Sequence, residues 1–247
     1  MKTHLSASFF NSMHNYCQAK KMAEEKGLWH EMKSDPLLIG GYVDAHFSGT
    51  MDKFIEENES LMFKKGGKLY AKFEHANRII KVGESDPVFM KYMDGEKQKK
   101  VEGKISGVKY TGYLDAFHPD KCITELKVVK SIRETEYDHE LGYRVNFIQK
   151  NGYLRQLAIY RELVRQMTDK VLPCYILALS KEAAIDKEVI FIPSFFLDMA
   201  LDEVKEYSQE YLNIRQGDQE PERCGKCNYC RSTRLISKPL NYEHLTI

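Results

Sequence analysis

The sequence lacks any apolar run long enough to cross a membrane. Its longest apolar run, residues 171–179, contains Pro173 and has only nine residues, whereas a transmembrane helix needs about 20. The first residues also lack the long apolar stretch of a secretory signal. We therefore expect a cytoplasmic protein without a membrane segment, whose thiols meet a reducing environment.

Proline, glycine and excess charge of one sign are also scarce. The 247 residues include 7 Pro and 15 Gly, and 37 Lys and Arg residues balance 36 Asp and Glu residues. This composition excludes collagenous, low-complexity and disordered chains. The net charge of +1 neither requires nor forbids a polyanionic ligand, because binding needs only a local basic surface.

Helical periodicity dominates the first part of the chain. A helix is predicted from an N-cap at Ser6 or Ser8 to Gly27, and a second from Asp35 to about Glu57. Further helices are predicted over residues 70–80, 87–93, 152–167 and 194–214.

Period-two alternation marks the strands. Three runs, residues 101–109, 110–117 and 122–130, predict an antiparallel meander. Apolar strands are predicted over residues 172–179 and 188–192. The order of elements favours an α/β fold with a mixed central sheet flanked by helices.

Charged side chains interrupt two apolar runs of the predicted meander. Glu125 and Lys127 share one face of their strand, because side chains alternate, and the turn before that strand can place Asp115 beside Glu125. An isolated Glu-x-Lys is most often an exposed pair. Two adjacent carboxylates repel each other, however, and a divalent cation removes that repulsion. Oxygen ligands favour magnesium or manganese, and a neighbouring ammonium suits phosphodiester hydrolysis.

These residues resemble the active-site core of the PD-(D/E)XK nuclease superfamily. The motifs are GYLD at residues 112–115 and ITELKV at residues 123–128, in the form found in RecB-like and RecE-like, phage-type exonucleases. Leu114 replaces the proline of the motif that names the superfamily. The resemblance covers about residues 6–230 and implies a restriction-endonuclease-like core.

The resemblance also implies a set of metal ligands. Members of this branch carry a histidine on an early helix, and GGYVDAH at residues 40–46 provides His46. Asp115, Glu125 and the backbone carbonyl of Leu126 are the other implied ligands, for Mg²⁺ or Mn²⁺. Taken alone, His46 fits an ordinary helix histidine beside the core.

A Gln-x3-Tyr motif on the helix after the catalytic strand completes the resemblance. Gln156 and Tyr160 supply it one helical turn apart, although alone they also fit surface residues. The implied catalytic residues are Asp115, Glu125, Lys127, Gln156 and Tyr160.

Three cysteines near the end of the chain have the spacing of metal ligands. Cys224, Cys227 and Cys230 form Cys-x2-Cys-x2-Cys, which supplies three thiolates of a zinc or [4Fe-4S] centre. In RecB-like relatives with an iron-sulfur cluster, one cysteine precedes the nuclease core, and Cys17 takes that place. An iron-sulfur cluster is the first expectation; zinc, with Cys17 or a histidine such as His244 as fourth ligand, and no metal at all are the alternatives.

The resemblance implies a single nuclease domain over residues 1–247. Its parts are a helical N-terminal part of about 1–95, a catalytic core of about 96–215 and a cysteine-rich tail of about 216–247. The implied function is a magnesium-dependent exonuclease that hydrolyses linear DNA with free ends in phage-type recombination or repair, alongside a single-strand annealing protein.

Basic residues after the catalytic strand are the predicted DNA contacts. They are Lys130 and Arg133. The alternative function is a non-catalytic nucleic-acid-binding or scaffold protein that keeps the fold and the cysteine centre, against which an ammonium beside two carboxylates argues. The sequence leaves the oligomeric state open, a homo-oligomer included.

Overall fold

The computed structural model describes residues 3–139 and 141–244, apart from the side chain of His244. No helix among them is long and apolar enough to span a membrane. The helices are α1 (Ala7–Asn15), α2 (Gln18–Glu25), α3 (Asp35–Ser48), α4 (Met51–Met62), α5 (Ala71–Glu84), α6 (Pro87–Met93), α7 (Phe147–Lys150), α8 (Tyr153–Thr168), α9 (Ser194–Gln216) and α10 (Asn228–Ser232). The strands are β1 (Lys99–Ile105), β2 (Val108–Leu114), β3 (Ala116–His118), β4 (Cys122–Val129), β5 (Thr135–Asp138), β6 (Tyr143–Asn146), β7 (Cys174–Ser180) and β8 (Lys187–Ile192).

The central sheet has the strand order β3-β4-β7-β8. β4 and β7 run parallel, whereas β3 and β8 each pair antiparallel with their neighbour. β1 with β2, and β5 with β6, form separate antiparallel pairs. The predicted α/β fold with a mixed sheet flanked by helices is therefore confirmed.

Helices cover both faces of the central sheet. Ile123 and Ile176 face an apolar core shared with α1, α8 and α9, whereas Leu126 and Leu177 face one shared with α3, α5 and α6. Because alternate strand residues point to opposite faces, Glu125 and Lys127 lie on the side of α8. The apolar residues of β4 thus fix which face carries its charges.

Two predicted helices are interrupted, which corrects their boundaries. The first begins as predicted, because the Ser6 side chain accepts the amide hydrogen of Phe9. The chain then becomes extended at Tyr16, and Cys17 caps a separate helix, α2. The second stops at Gly49, whose φ of 74° is a left-handed conformation that favours glycine, before α4 begins.

The predicted three-stranded meander is wrong as a continuous unit, because it divides at Asp115. β2 ends at Leu114 and pairs with β1, whereas β3 begins at Ala116 and pairs with β4. Beyond Thr124, β4 therefore has no β3 residue opposite it. Because β2 pairs with β1 and not with β4, a gap lies beside residues 125–129 of β4.

The β5–β6 hairpin and α7 have no counterpart in the sequence-based prediction. Most residues of both strands are exposed, so apolar alternation does not mark them. Asn146 ends β6 and caps α7 in a capping box with Gln149. This hairpin and the C-terminal end of β4 line a common cleft.

Candidate active site

The gap between β2 and β4 holds the two carboxylates. Asp115 Oδ2 accepts the amide hydrogen of Leu126 at 2.9 Å, and the Asp115 amide nitrogen lies 3.4 Å from Glu125 Oε1. The amide and carbonyl of one strand residue point to the same side, so the Leu126 carbonyl also faces this gap. The structure brings these three residues together, and their role as metal ligands stays a prediction.

Glu125 is 1% exposed and has two side-chain partners. Lys127 Nζ lies 3.2 Å and Gln156 Nε2 lies 3.0 Å from Glu125 Oε2. The same Gln156 nitrogen lies 3.3 Å from the Tyr160 hydroxyl oxygen. Glu125 and Lys127 of β4 therefore form one hydrogen-bonded group with the Gln-x3-Tyr motif of α8.

Burial and like charge set the electrostatics of this group. Burial, with repulsion from Asp115, raises the pKa of Glu125 well above its ordinary value against the attraction of Lys127. Burial opposes the charge of Lys127, but attraction to Glu125 and Asp115 outweighs it and raises the pKa of the lysine. Carboxylate and carbonyl oxygens that repel one another are a donor set that fits a hard divalent cation.

Asp44 of α3 is a third carboxylate of the pocket. It lines a pocket of about 310 Å³ together with Asp115, Glu125 and Lys127. Burial, followed by repulsion from Asp115, raises the pKa of Asp44 to about 6. Sequence reasoning missed Asp44, although it lies inside the motif that provided His46.

His46 lies outside this pocket, and its expected role as a metal ligand stays a prediction. Its Nε2 lies 2.8 Å from Glu84 Oε1 on α5. Its side chain is 38% exposed. Two residues along an α-helix turn by about 200°, so Asp44 and His46 lie on nearly opposite sides of α3. The helix directs the aspartate, and not the histidine, towards Asp115.

Gly112 lets the Tyr160 ring approach β2. A Cβ atom added at Gly112 would lie 2.5 Å from Tyr160 Cε1, which is far inside van der Waals contact. The glycine of the GYLD motif therefore provides the space that Tyr160 occupies beside Gln156. The pocket is lined by Gly40, Gly41, Asp44, Tyr113, Asp115, Glu125, Leu126, Lys127, Val128, Gln156 and Tyr160.

The two predicted DNA contacts differ in position. Lys130 lines the cleft beside the pocket, and its Nζ lies 2.8 Å from Glu134 Oε2. Arg133 does not line this cleft, and its guanidinium donates to Asp186 and Glu188 at 2.9 and 2.8 Å. Both side chains are exposed and paired with carboxylates, and their role as DNA contacts stays a prediction.

The cysteines that sequence analysis grouped converge on one point. Among the described residues, Cys17, Cys224, Cys227 and Cys230 are the group of metal-binding side chains whose ligand atoms all lie within 4.8 Å of one another. Cys17 Sγ and Cys230 Sγ are 3.4 Å apart although the residues are separated by 213 positions. The side chain of His244, the alternative fourth ligand, lies outside the described residues.

Backbone amides donate hydrogen bonds to three of these sulfurs, and burial raises the pKa of one of them, Cys227, to about 12. The amides of Lys20, Cys227 and Cys230 donate to Cys17, Cys224 and Cys227 Sγ atoms, respectively. Donation from the Cys227 and Lys226 amides lowers the pKa of Cys224 to about 6. Cys122 and Cys174 are buried in strands, as expected for core residues.

A mixed sheet that presents two carboxylates and a lysine where two strands diverge defines a protein of the PD-(D/E)XK nuclease superfamily. Within it, this chain belongs to the family described as a PDDEXK-like domain of unknown function (DUF3799), whose profile matches residues 6–233. No protein of the curated set matches the sequence significantly.

One solved structure agrees with this assignment. A protein from Eubacterium rectale, described as a candidate exonuclease, is 34% identical, with 99% of this chain and 93% of that chain covered and a TM-score of 0.92. SSO0001 aligns at 17% identity over 91% of this chain and 96% of that chain, but its TM-score of 0.33 is too low to support an inference. The first similarity extends over nearly the whole of both chains.

Proposed function

We propose that this protein is a magnesium-dependent deoxyribonuclease that acts as an exonuclease on linear DNA. The observation that carries the proposal is the joining of Asp115, Glu125 and Lys127 with Gln156 in one pocket. The description of the E. rectale relative as a candidate exonuclease supports the choice of reaction. A role in recombination or repair beside a single-strand annealing protein belongs to the same proposal and derives from the family resemblance.

Asp115, Glu125 and the Leu126 carbonyl would hold the magnesium ion, with Asp44 as a further acidic ligand. The ion, when bound, would supply positive charge to the phosphate in the transition state. Lys127 presents its ammonium to the same pocket, where it orients a water molecule and offsets negative charge that develops on phosphate oxygens. Gln156 and Tyr160 hold Glu125 in place from α8.

A hydrolysis assay tests this function. End-labelled linear DNA and a covalently closed circle of the same sequence are incubated with the wild type, Lys127→Ala and the control Lys205→Ala in magnesium or manganese. Lys205 is exposed on α9 and pairs with Asp202. We expect wild type and Lys205→Ala to degrade only the linear DNA, and Lys127→Ala to be slower by about 100-fold or more.

The outcomes separate the competing functions. Cleavage of the closed circle would show that the protein is an endonuclease and not an exonuclease. Equal rates for wild type and Lys127→Ala would reject the catalytic pocket. A wild type that binds DNA without hydrolysing it in either metal would favour the non-catalytic binding or scaffold protein.

For the cysteine cluster, we propose a structural zinc ion in preference to a [4Fe-4S] cluster. Tetrahedral zinc with Zn–S bonds of about 2.3 Å places its sulfur ligands about 3.8 Å from one another. The four sulfur ligand atoms here all lie within 4.8 Å. A cluster of four irons and four sulfides between the cysteines would hold their sulfurs farther apart. The ion would join α2 to the tail and so close a loop that contains the nuclease core.

Metal analysis of anaerobically purified protein tests the zinc proposal. We expect colourless protein with one zinc per chain, loss of that zinc in Cys224→Ser, and its retention in the control Cys122→Ser, because Cys122 is buried in β4 away from the cluster. Brown protein that contains four irons per chain would establish the iron-sulfur alternative. Protein without metal would leave only hydrogen bonding between the thiols.

A further inference from the structure

A second cleft adjoins the catalytic pocket. Its volume is about 520 Å³, and it shares Gly40, Gly41 and Val128 with the pocket. It is lined by the first half of α3, by the β5–β6 hairpin with α7, by the C-terminal end of β4 and by Lys181, which follows β7. A chain that leaves the pocket over Val128 therefore enters this cleft.

Three lysines line the cleft, and two of them are already neutralised. Lys130 pairs with Glu134, and Lys150 pairs with Glu136. All four of these side chains line the cleft, so these pairs add little net charge to its surface. They do not distinguish an anionic ligand from a neutral one.

Lys181 differs from the other two lysines. Its Nζ lies 3.3 Å from the Pro36 carbonyl oxygen, and in residues 3–139 and 141–244 no carboxylate forms an ion pair with it. Its side chain is about half-buried, and burial lowers the pKa of this lysine. A partly desolvated ammonium without a counter-charge is unfavourable in the free protein and is stabilised when an anion binds.

The parallel pairing of β4 and β7 places Lys181 beside the C-terminal end of the catalytic strand, β4. Val129 pairs with Ser180, and the Lys181 amide donates to the Val129 carbonyl at 2.8 Å. The carboxyl ends of parallel strands meet at the same edge of a sheet. Lys181 therefore lies at the same edge of the sheet as the end of β4, the strand that carries Lys127, but on the neighbouring strand.

The cleft also offers aromatic surface. Tyr153 and Phe147 line it, with ring centroids 6.3 Å apart, and Lys127 Nζ lies 4.9 Å from the Tyr153 ring centroid. Aromatic rings and a basic side chain in one groove are the combination that proteins use for a single nucleic-acid strand, because bases stack on the rings while phosphates contact cations.

We propose that this cleft binds the DNA strand next to the phosphate that is cleaved, and that Lys181 contacts a phosphate of that strand. The proposal rests on the proposed nuclease function and adds a substrate-binding residue outside the catalytic pocket. Lys181 contributes charge to binding, and the pocket residues perform hydrolysis.

Salt-dependent binding tests the contact. Affinity for a single-stranded oligonucleotide is measured at several salt concentrations in the Lys127→Ala background, so that the ligand stays intact. Lys181→Met, which keeps the length but removes the charge, should reduce the slope of log affinity against log salt by about 0.7 and weaken binding about fivefold at 0.1 M salt. Lys181→Arg and the control Lys205→Met should keep the original slope.

Hydrolysis and stability supply the remaining readouts. With Lys127 intact, Lys181→Met should raise KM and leave kcat nearly unchanged, and its melting temperature should equal or exceed that of the wild type, because a half-buried ammonium is removed. If Lys181→Met leaves the salt slope unchanged, Lys181 does not contact a DNA phosphate. If the slope is unchanged and the melting temperature falls, Lys181 has a structural role. Absence of hydrolysis by the wild type would instead reject the nuclease function and is recorded separately from the slope.

Discussion

Asp115 and Leu126 are joined by a hydrogen bond from the Leu126 amide to Asp115 Oδ2, at 2.9 Å. The bond forms at the junction of β2 and β3, so a carboxylate replaces the backbone acceptor that a paired strand would offer. The backbone thereby holds Asp115 beside Glu125 without help from a flexible side chain. Preorganised acidic ligands of this kind bind a cation with little rearrangement.

Asp115→Asn separates the charge of this residue from its hydrogen bond. The amide oxygen of asparagine still accepts from Leu126, but repulsion with Glu125 is lost together with a metal ligand. We expect hydrolysis to fall at least about 100-fold, while the melting temperature without divalent ions stays equal or rises. Assays over a magnesium titration and thermal unfolding check both. Full activity at saturating magnesium would contradict the role of Asp115 as a ligand.

Asp44 and His46 give opposite predictions although they are two residues apart. Asp44→Asn should lower the affinity for magnesium and slow hydrolysis by about 10-fold to 100-fold, because Asp44 lies in the pocket with Asp115. His46→Asn removes the exposed pair with Glu84, which contributes about 0.2–1 kcal/mol, and a ring contact with Phe47, and should change the rate less than about threefold. Rates at several magnesium concentrations compare the two variants. A larger loss of rate in His46→Asn than in Asp44→Asn would indicate that His46, and not Asp44, is the metal ligand.

Gly112→Ala should disturb Tyr160 without touching a charged group. The added methyl group would lie 2.5 Å from the Tyr160 ring, and overpacking of this kind costs about 1–3 kcal/mol. We expect a lower melting temperature and slower hydrolysis, because Tyr160 and Gln156 support Glu125. Gly40→Ala on α3 is the matched control for stability, since its methyl group meets no atom within 4 Å and alanine favours a helix by about 0.5–1 kcal/mol. Equal stability of the two variants would show that the ring moves freely.

Period-two alternation in one strand was sufficient to place Glu125 and Lys127 on a common face, because that property is local. The rotation of α3 depends on how it packs against α5 and the sheet, so the sequence indicated the motif but did not single out Asp44, which lines the pocket. The ends of helices at Tyr16 and Gly49 likewise interrupt a continuous apolar periodicity. Lys181 approaches the site only through the pairing of β7 with β4, which no local pattern specifies.

A polar network that connects α1, α8 and α9 predicts how stability changes with pH. Glu203 Oε1 lies 2.8 Å from His14 Nε2, and Glu203 Oε2 lies 3.0 Å from an Arg155 nitrogen. Burial opposes the charge of Glu203, but the hydrogen bond with His14 and the attraction of Arg155 outweigh it and lower its pKa from 4.5 to about 2. Arg155 also bonds to Asn11 of α1, so the network fixes the helix that carries Gln156.

Because the folded pKa of Glu203 is below the unfolded value, its contribution to the free energy of unfolding is complete above pH 4.5 and is lost as the pH falls towards 2. Glu203→Gln should therefore lower that free energy at neutral pH by about 1–2 kcal/mol, a value reduced for the partial exposure of this side chain. Denaturant unfolding of both proteins between pH 7 and pH 3 measures the difference. It should shrink as the pH falls below 4.5, whereas a difference independent of pH would mean that packing, and not charge, explains the loss.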